Sequence, residues 1–158
     1  MSNYKEEYMT EAIMLAVENV KSGRGGPFGA IVVKNGIIIS RGTNLVTTSN
    51  DPTAHAEVVA IRNACKNLTK FQLDGCDIYA SCEPCPMCLG AIYWARPDNL
   101  FFAGTKSDAA NIGFDDSFIY EEICVPYVER KIKTIHIQHK NALAPFNAWK
   151  SKEDKIEY

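Results

Sequence analysis

A chain of 158 residues, 46% hydrophobic and 23% charged, has the composition of an ordinary folded protein and enough apolar material for one packed core. Its net charge of −2 excludes the strong basic footprint that duplex or long single-stranded nucleic acid requires, so a small neutral substrate is the expected partner. No apolar run reaches the ~18 to 20 residues that span a bilayer, and no membrane association is expected.

In chain order, apolar residues at helical spacing (Tyr8, Ala12, Leu15 and Ala16, with Ile13 and Val17 at the margin) predict a first helix over 7–21, stopped by Ser22-Gly-Arg-Gly-Gly-Pro27. Two β-branched runs, 28–34 and 37–42, flank Asn35-Gly36. That dipeptide suits a two-residue type I′ turn because both of its positions need positive φ, so an antiparallel hairpin follows. Turn and cap residues Asn50-Asp-Pro-Thr53 lead into a second helix over 55–68, which places His55 and Glu57 in its first turn. A strand over 77–81, a proline-opened helix over 86–96 and a strand over 99–104 follow. Alternation of strands and helices implies parallel strands covered by helices, with the hairpin making the sheet mixed. Farther on, a short helix over 118–123, an apolar-alternating strand over 133–138 and a last helix over 145–152, anchored by Phe146 and Trp149, complete an α/β chain with a five-stranded sheet. The charged end reads as a frayed tail, although Tyr158 is an odd residue to leave loose.

Six cysteines raise the question of disulfides, but Met-Ser-Asn-Tyr-Lys-Glu-Glu at the start has no apolar signal core, so the reducing cytosol is the expected compartment. In that compartment cysteines serve as thiols or ligands. Catalytic zinc takes three protein ligands and keeps a fourth position for water, and His55, Cys85 and Cys88 supply such a set. The Cys85-Pro-Met-Cys88 spacing lets two thiolates reach one ion from a helix N-terminus, where the dipole favours the charged form. A redox pair or a structural zinc site is the alternative reading, yet a structural site closes with four ligands and a redox pair needs no preceding His-x-Glu. Cys82 is close enough to be a fourth ligand, but it would displace the water and is expected to pack structurally. Cys65, Cys76 and Cys124 lack partners at ligand spacing and are given no role.

Glu57, one residue removed from His55, can approach the fourth position without coordinating, which suits a shuttle of protons from water to a ring nitrogen and a departing amine. His-x-Glu followed by Pro-Cys-x-x-Cys is the signature of zinc deaminases. Together with Gly26-Pro-Phe-Gly-Ala30, Asn50-Asp-Pro-Thr-Ala-His-Ala-Glu57, the stretch from Ser81 to Ala95 and Gly113-Phe-Asp-Asp-Ser-Phe-Ile-Tyr120, it makes the chain resemble the cytidine deaminase superfamily and, within it, the bacterial guanine deaminases. The first three stretches speak to chemistry more than substrate. Gly-Phe-Asp-Asp and a terminal aromatic point to guanine.

The resemblance implies a three-layer α/β/α cytidine deaminase-like fold in a single domain over 1–158, one zinc ion (Zn2+) per subunit, and hydrolysis of guanine to xanthine and ammonia. It further implies that Asn44 hydrogen-bonds the base, that Phe28 stacks on it, and that Asp116, with Asp115 competing for the role, accepts from the substrate and assists the leaving amine. Segment 140–158 is implied to cross to a second copy in a domain-swapped homodimer, where Tyr158 closes the site. Another base or nucleoside (cytosine, guanosine or tRNA adenosine) is the runner-up substrate. A structural zinc module without catalysis is the reading from another class, and Glu57 discriminates against it.

Overall fold

Asn35 and Gly36 both adopt left-handed backbone, φ 52° and 77°, and the turn they make joins β1 (Gly29–Lys34) to β2 (Ile37–Thr43) as an antiparallel hairpin. The computed structural model describes residues 4–158. Around the hairpin stand α1 (Glu6–Lys21), a short α2 (Val46–Ser49), α3 (Ala56–Leu68), β3 (Cys76–Cys82), α4 (Pro86–Ala95), β4 (Asn99–Gly104) and α5 (Lys106–Ala110). Neither α2 nor α5 is visible in the sequence pattern, because a single turn of helix shows no apolar period. Thr105 and Asp108 hold α5 as a reciprocal capping box.

The strands form a mixed four-stranded sheet in the order β2-β1-β3-β4. β3 and β4 are parallel as expected, but β1 runs antiparallel to β3. The crossover through α3 leaves β2, passes over β1 and returns as β3, so two like-directed strands flank an opposed one. Side chains of β1 alternate between two cores. Ala30 and Val32 pack with Ala60, Ala64, Ile78 and Ile92 beneath α3 and α4, whereas Ile31 and Val33 pack with Met9, Ala12 and Tyr79 beneath α1. These three layers are the expected α/β/α arrangement.

The chain divides into two compact units, Met1–Ser117 and Phe118–Tyr158. The second carries most of α6 (Ser117–Cys124), a 3-10 turn (Tyr127–Glu129) and α7 (Ala144–Ser151). The expected fifth strand over 133–138 is not formed. Ile135 and Ile137 are exposed and the segment is irregular, since alternation makes a strand only where an edge is present to pair with it. Phe146 and Trp149, expected as anchors, are also exposed. Among the described residues no helix is long and apolar enough to cross a membrane.

Candidate metal centre and active site

One end of the sheet gathers the chemistry. Phe28 precedes β1, Asn44 follows β2 and Cys85 follows β3, and the pairing of Gly29 with Thr43 brings the first two to the same edge. Asn44 N donates to Phe28 O at 3.1 Å, and Leu45 N donates to Ala54 O at 2.9 Å, which fixes the chain ahead of His55. Asp51 shapes the turn before it by accepting from the backbone N and hydroxyl of Thr53.

His55 and Cys85 each occupy the N-cap of a helix, α3 and α4, in extended backbone, and neither side chain caps its own helix. The sequence placed His55 inside the first turn; one position earlier, its ring is free of cap duty and turns toward the cysteines. Cys85 Sγ lies 3.6 Å from His55 Nδ1, and one ligand atom from each of His55, Cys85 and Cys88 lies within 4.8 Å of the others. Tetrahedral zinc with bonds of ~2.3 Å to sulfur and ~2.1 Å to nitrogen sets those two atoms about 3.6 Å apart. The donor set and its spacing therefore fit one zinc ion.

The neighbouring Cys88 sulfur, and then His55, hold the Cys85 thiol down at about 4. The same interaction with Cys85, reinforced by burial and by Glu57, pushes Cys88 up. Its bond to Cys85 raises the pKa of His55. Cys82 stands apart: burial and the charge of Glu57 push it up to about 11, and its Sγ donates to Thr105 O at 3.5 Å. It is not among the clustered donors.

Glu57 is buried in the first turn of α3, where Cys88 Sγ donates to its Oε2 at 3.4 Å. Desolvation pushes its carboxyl up, which brings a glutamate toward the range useful for taking and giving protons near neutrality. The two aspartates sit in different surroundings. Asp115 accepts from Ser117 N at 2.9 Å and is held low by it, whereas Asp116 is half-buried and raised, first by desolvation and then by the charge of Cys85. Asp116 is thus the carboxylate within electrostatic reach of the cysteine cluster. Tyr158 belongs to the second unit and is exposed.

Two contributors escaped the sequence reading. The Phe114 ring meets Phe28 edge-on, 5.0 Å between centroids at 89°, tying the loop that bears Asp116 to the ring beside β1. Gly42 lets α3 approach β2 so closely that a Cβ there would lie 2.1 Å from Ala56 O, and a glycine inside a strand is the signal that could have found it.

Residues 2–104 match the model of the cytidine and deoxycytidylate deaminase zinc-binding region. The chain belongs to this deaminase family. Within it, the guanine deaminase of Bacillus subtilis is 58% identical over 97% of this chain and 98% of its own length. The X-ray structure of guanine deaminase from B. subtilis superposes with a TM-score of 0.96, at 57% identity, covering 100% of this chain and 99% of that one. A tRNA-specific adenosine deaminase of Aquifex aeolicus is 41% identical, but over 63% of this chain and 65% of its own length. Members of this deaminase family carry a zinc-binding region, and His55, Cys85 and Cys88 are the residues of this chain that suit the ion.

Proposed function

We propose that the protein hydrolyses guanine to xanthine and ammonia. Two observations support the reading. The buried Glu57 carboxyl stands beside the His55, Cys85 and Cys88 cluster without being one of its donors. The match to a guanine deaminase runs nearly end to end, whereas that to a tRNA deaminase does not.

Zinc, when bound, supplies a Lewis acid that lowers the pKa of a water molecule toward neutrality. Glu57 takes both protons of the attacking water in turn, one as the C–O bond forms and one as the new hydroxyl becomes the carbonyl, and delivers one to the ring nitrogen beside the amine-bearing carbon and one to the departing amine as the C–N bond breaks. Asp116, an acceptor when ionised, takes the N–H groups that guanine presents at N1 and at its exocyclic amine. Phe28 stacks on the base. Asn44 Oδ1 accepts from Val46 N at 3.3 Å, which turns the Nδ2 group toward an acceptor on the base. Burial of Glu57 keeps bulk water from competing for these bonds.

Segment 140–158 is exchanged between two copies, and Tyr158 of one closes over the base bound by the other. No residue of 118–158 is buried in the single chain, and Val128, Ile132, Ile137, Phe146 and Tyr158 are among its exposed apolar side chains. So much exposed apolar surface favours association with a second copy. The compartment is the cytoplasm, in keeping with six free cysteines.

A tRNA substrate is the second reading, favoured by the 41% identity to a tRNA-specific adenosine deaminase. A panel of guanine, guanosine, cytosine and a tRNA anticodon stem, scored by ammonia release from zinc-loaded protein, separates the two. Guanine should react fastest, and a faster tRNA reaction would overturn the proposal.

A further inference from the structure

We infer that Asn19 is a positioning residue for the base-binding face of the site. This rests on the reading that Phe28 and Asn44 contact the base. Asn19 is fully buried near the C-terminal end of α1, in a helix whose other buried residues are Met9, Ala12 and Ala16. For packing alone an apolar residue of similar size would serve, and burying an amide is costly unless its bonds are made. Asn19 Oδ1 has no hydrogen-bond partner among the described residues, so the case for an amide rests on its other end.

That end is fully engaged. Asn19 Nδ2 donates to Gly26 O at 2.9 Å and to Asn44 O at 2.8 Å. Because both partners are carbonyl oxygens, the amide orientation is determined. Gly26 O also accepts from Phe28 N at 2.9 Å, and Phe28 O accepts from Asn44 N at 3.1 Å. One amide group thereby clamps the backbones of Phe28 and Asn44 into a single hydrogen-bonded ring. Gly25 completes the clamp: a Cβ there would lie 2.1 Å from Asn44 O and 3.2 Å from Asn19 Nδ2, so no side chain fits between. Asn19 is not among the residues whose donor atoms form the metal cluster, so its removal leaves the zinc ligands in place.

The test is steady-state kinetics on guanine with zinc-loaded dimer or monomer as purified, using Asn19→Ala, Asn19→Ser, Gly25→Ala, Asn44→Ala and the Asn19→Ala/Asn44→Ala double variant. Asn19→Ala should raise KM about tenfold with kcat changed less and zinc content intact, as loss of ground-state binding geometry requires. Asn19→Ser, which keeps one donor, should fall between it and the wild type. Gly25→Ala deletes no hydrogen-bonding group but pushes Asn44 O away from Asn19 Nδ2, and should raise KM even if Asn19→Ala fails to fold. The double variant should be little worse than Asn44→Ala, because residues acting through one another are not additive. A lower melting temperature with unchanged KM in Asn19→Ser and Gly25→Ala, beside a raised KM in Asn44→Ala, overturns the positioning role alone. Unchanged KM in Asn44→Ala itself overturns the base-binding reading and the inference together.

Discussion

Cys85 Sγ lies 3.6 Å from His55 Nδ1 although 30 positions separate the two residues and each stands at the N-cap of a different helix. Two helix starts aimed at one point bring both donors together. Cys85→Ser should therefore lose zinc and activity together, whereas Cys82→Ser, whose sulfur faces Thr105 O, should keep a full equivalent of zinc. Metal analysis of the two purified variants checks this.

Glu57 carries the separation of binding from chemistry. Glu57→Gln keeps the shape of the side chain and leaves the three donors in place, so zinc should stay bound while kcat falls by about 10² to 10⁴, the usual worth of a general acid and base. A structural zinc module would show no such loss. Parallel measurement of zinc content and turnover decides between them.

Zinc binding should displace protons. Cys85 is held low, at about 4, so its thiolate is already present at neutral pH, but the raised Cys88 and His55 must lose protons to coordinate. Both shifts are upward, so affinity should weaken as pH falls and strengthen as it rises. Titrating zinc into metal-stripped protein in weak buffer should release protons, and an affinity that does not change with pH would contradict this.

The hairpin and the metal set were legible because each depends on local chemistry: Asn35-Gly36 accepts positive φ, and Cys85 and Cys88 reach one point from a single helical turn. What was not legible depends on partners distant in sequence. β1 lies antiparallel to β3 because α3 carries the chain past it, which no period of Val and Ile reports. The alternation over 133–138 is real in the sequence, yet Ile135 and Ile137 meet no strand edge among the described residues and stay exposed. Asp115 and Asp116 look equivalent in sequence; the hydrogen bond from Ser117 N to Asp115 tells them apart.

Gly42 sets the depth at which α3 docks. A methyl group there would meet Ala56 O at 2.1 Å and force the first turn of α3, with His55 and Glu57, away from β2. Gly42→Ala should cost about 1 to 3 kcal/mol of stability, as overpacking does, and should lower activity beyond what the unfolded fraction explains. Thermal denaturation alongside turnover at a temperature where the variant is folded measures both.

Removal of Ile156, Glu157 and Tyr158 tests the proposed closure. Turnover should fall with zinc content unchanged, because the donors all lie in the first unit. Equal activity in the shortened protein would refute the role given to Tyr158.

The most direct measurement is the product formed from free guanine by zinc-loaded protein, with the Glu57→Gln variant run beside it. Xanthine and ammonia in equal amounts from the wild type, and almost none from the variant, is the expected result. A fully zinc-loaded wild type that leaves guanine unchanged would contradict guanine deamination.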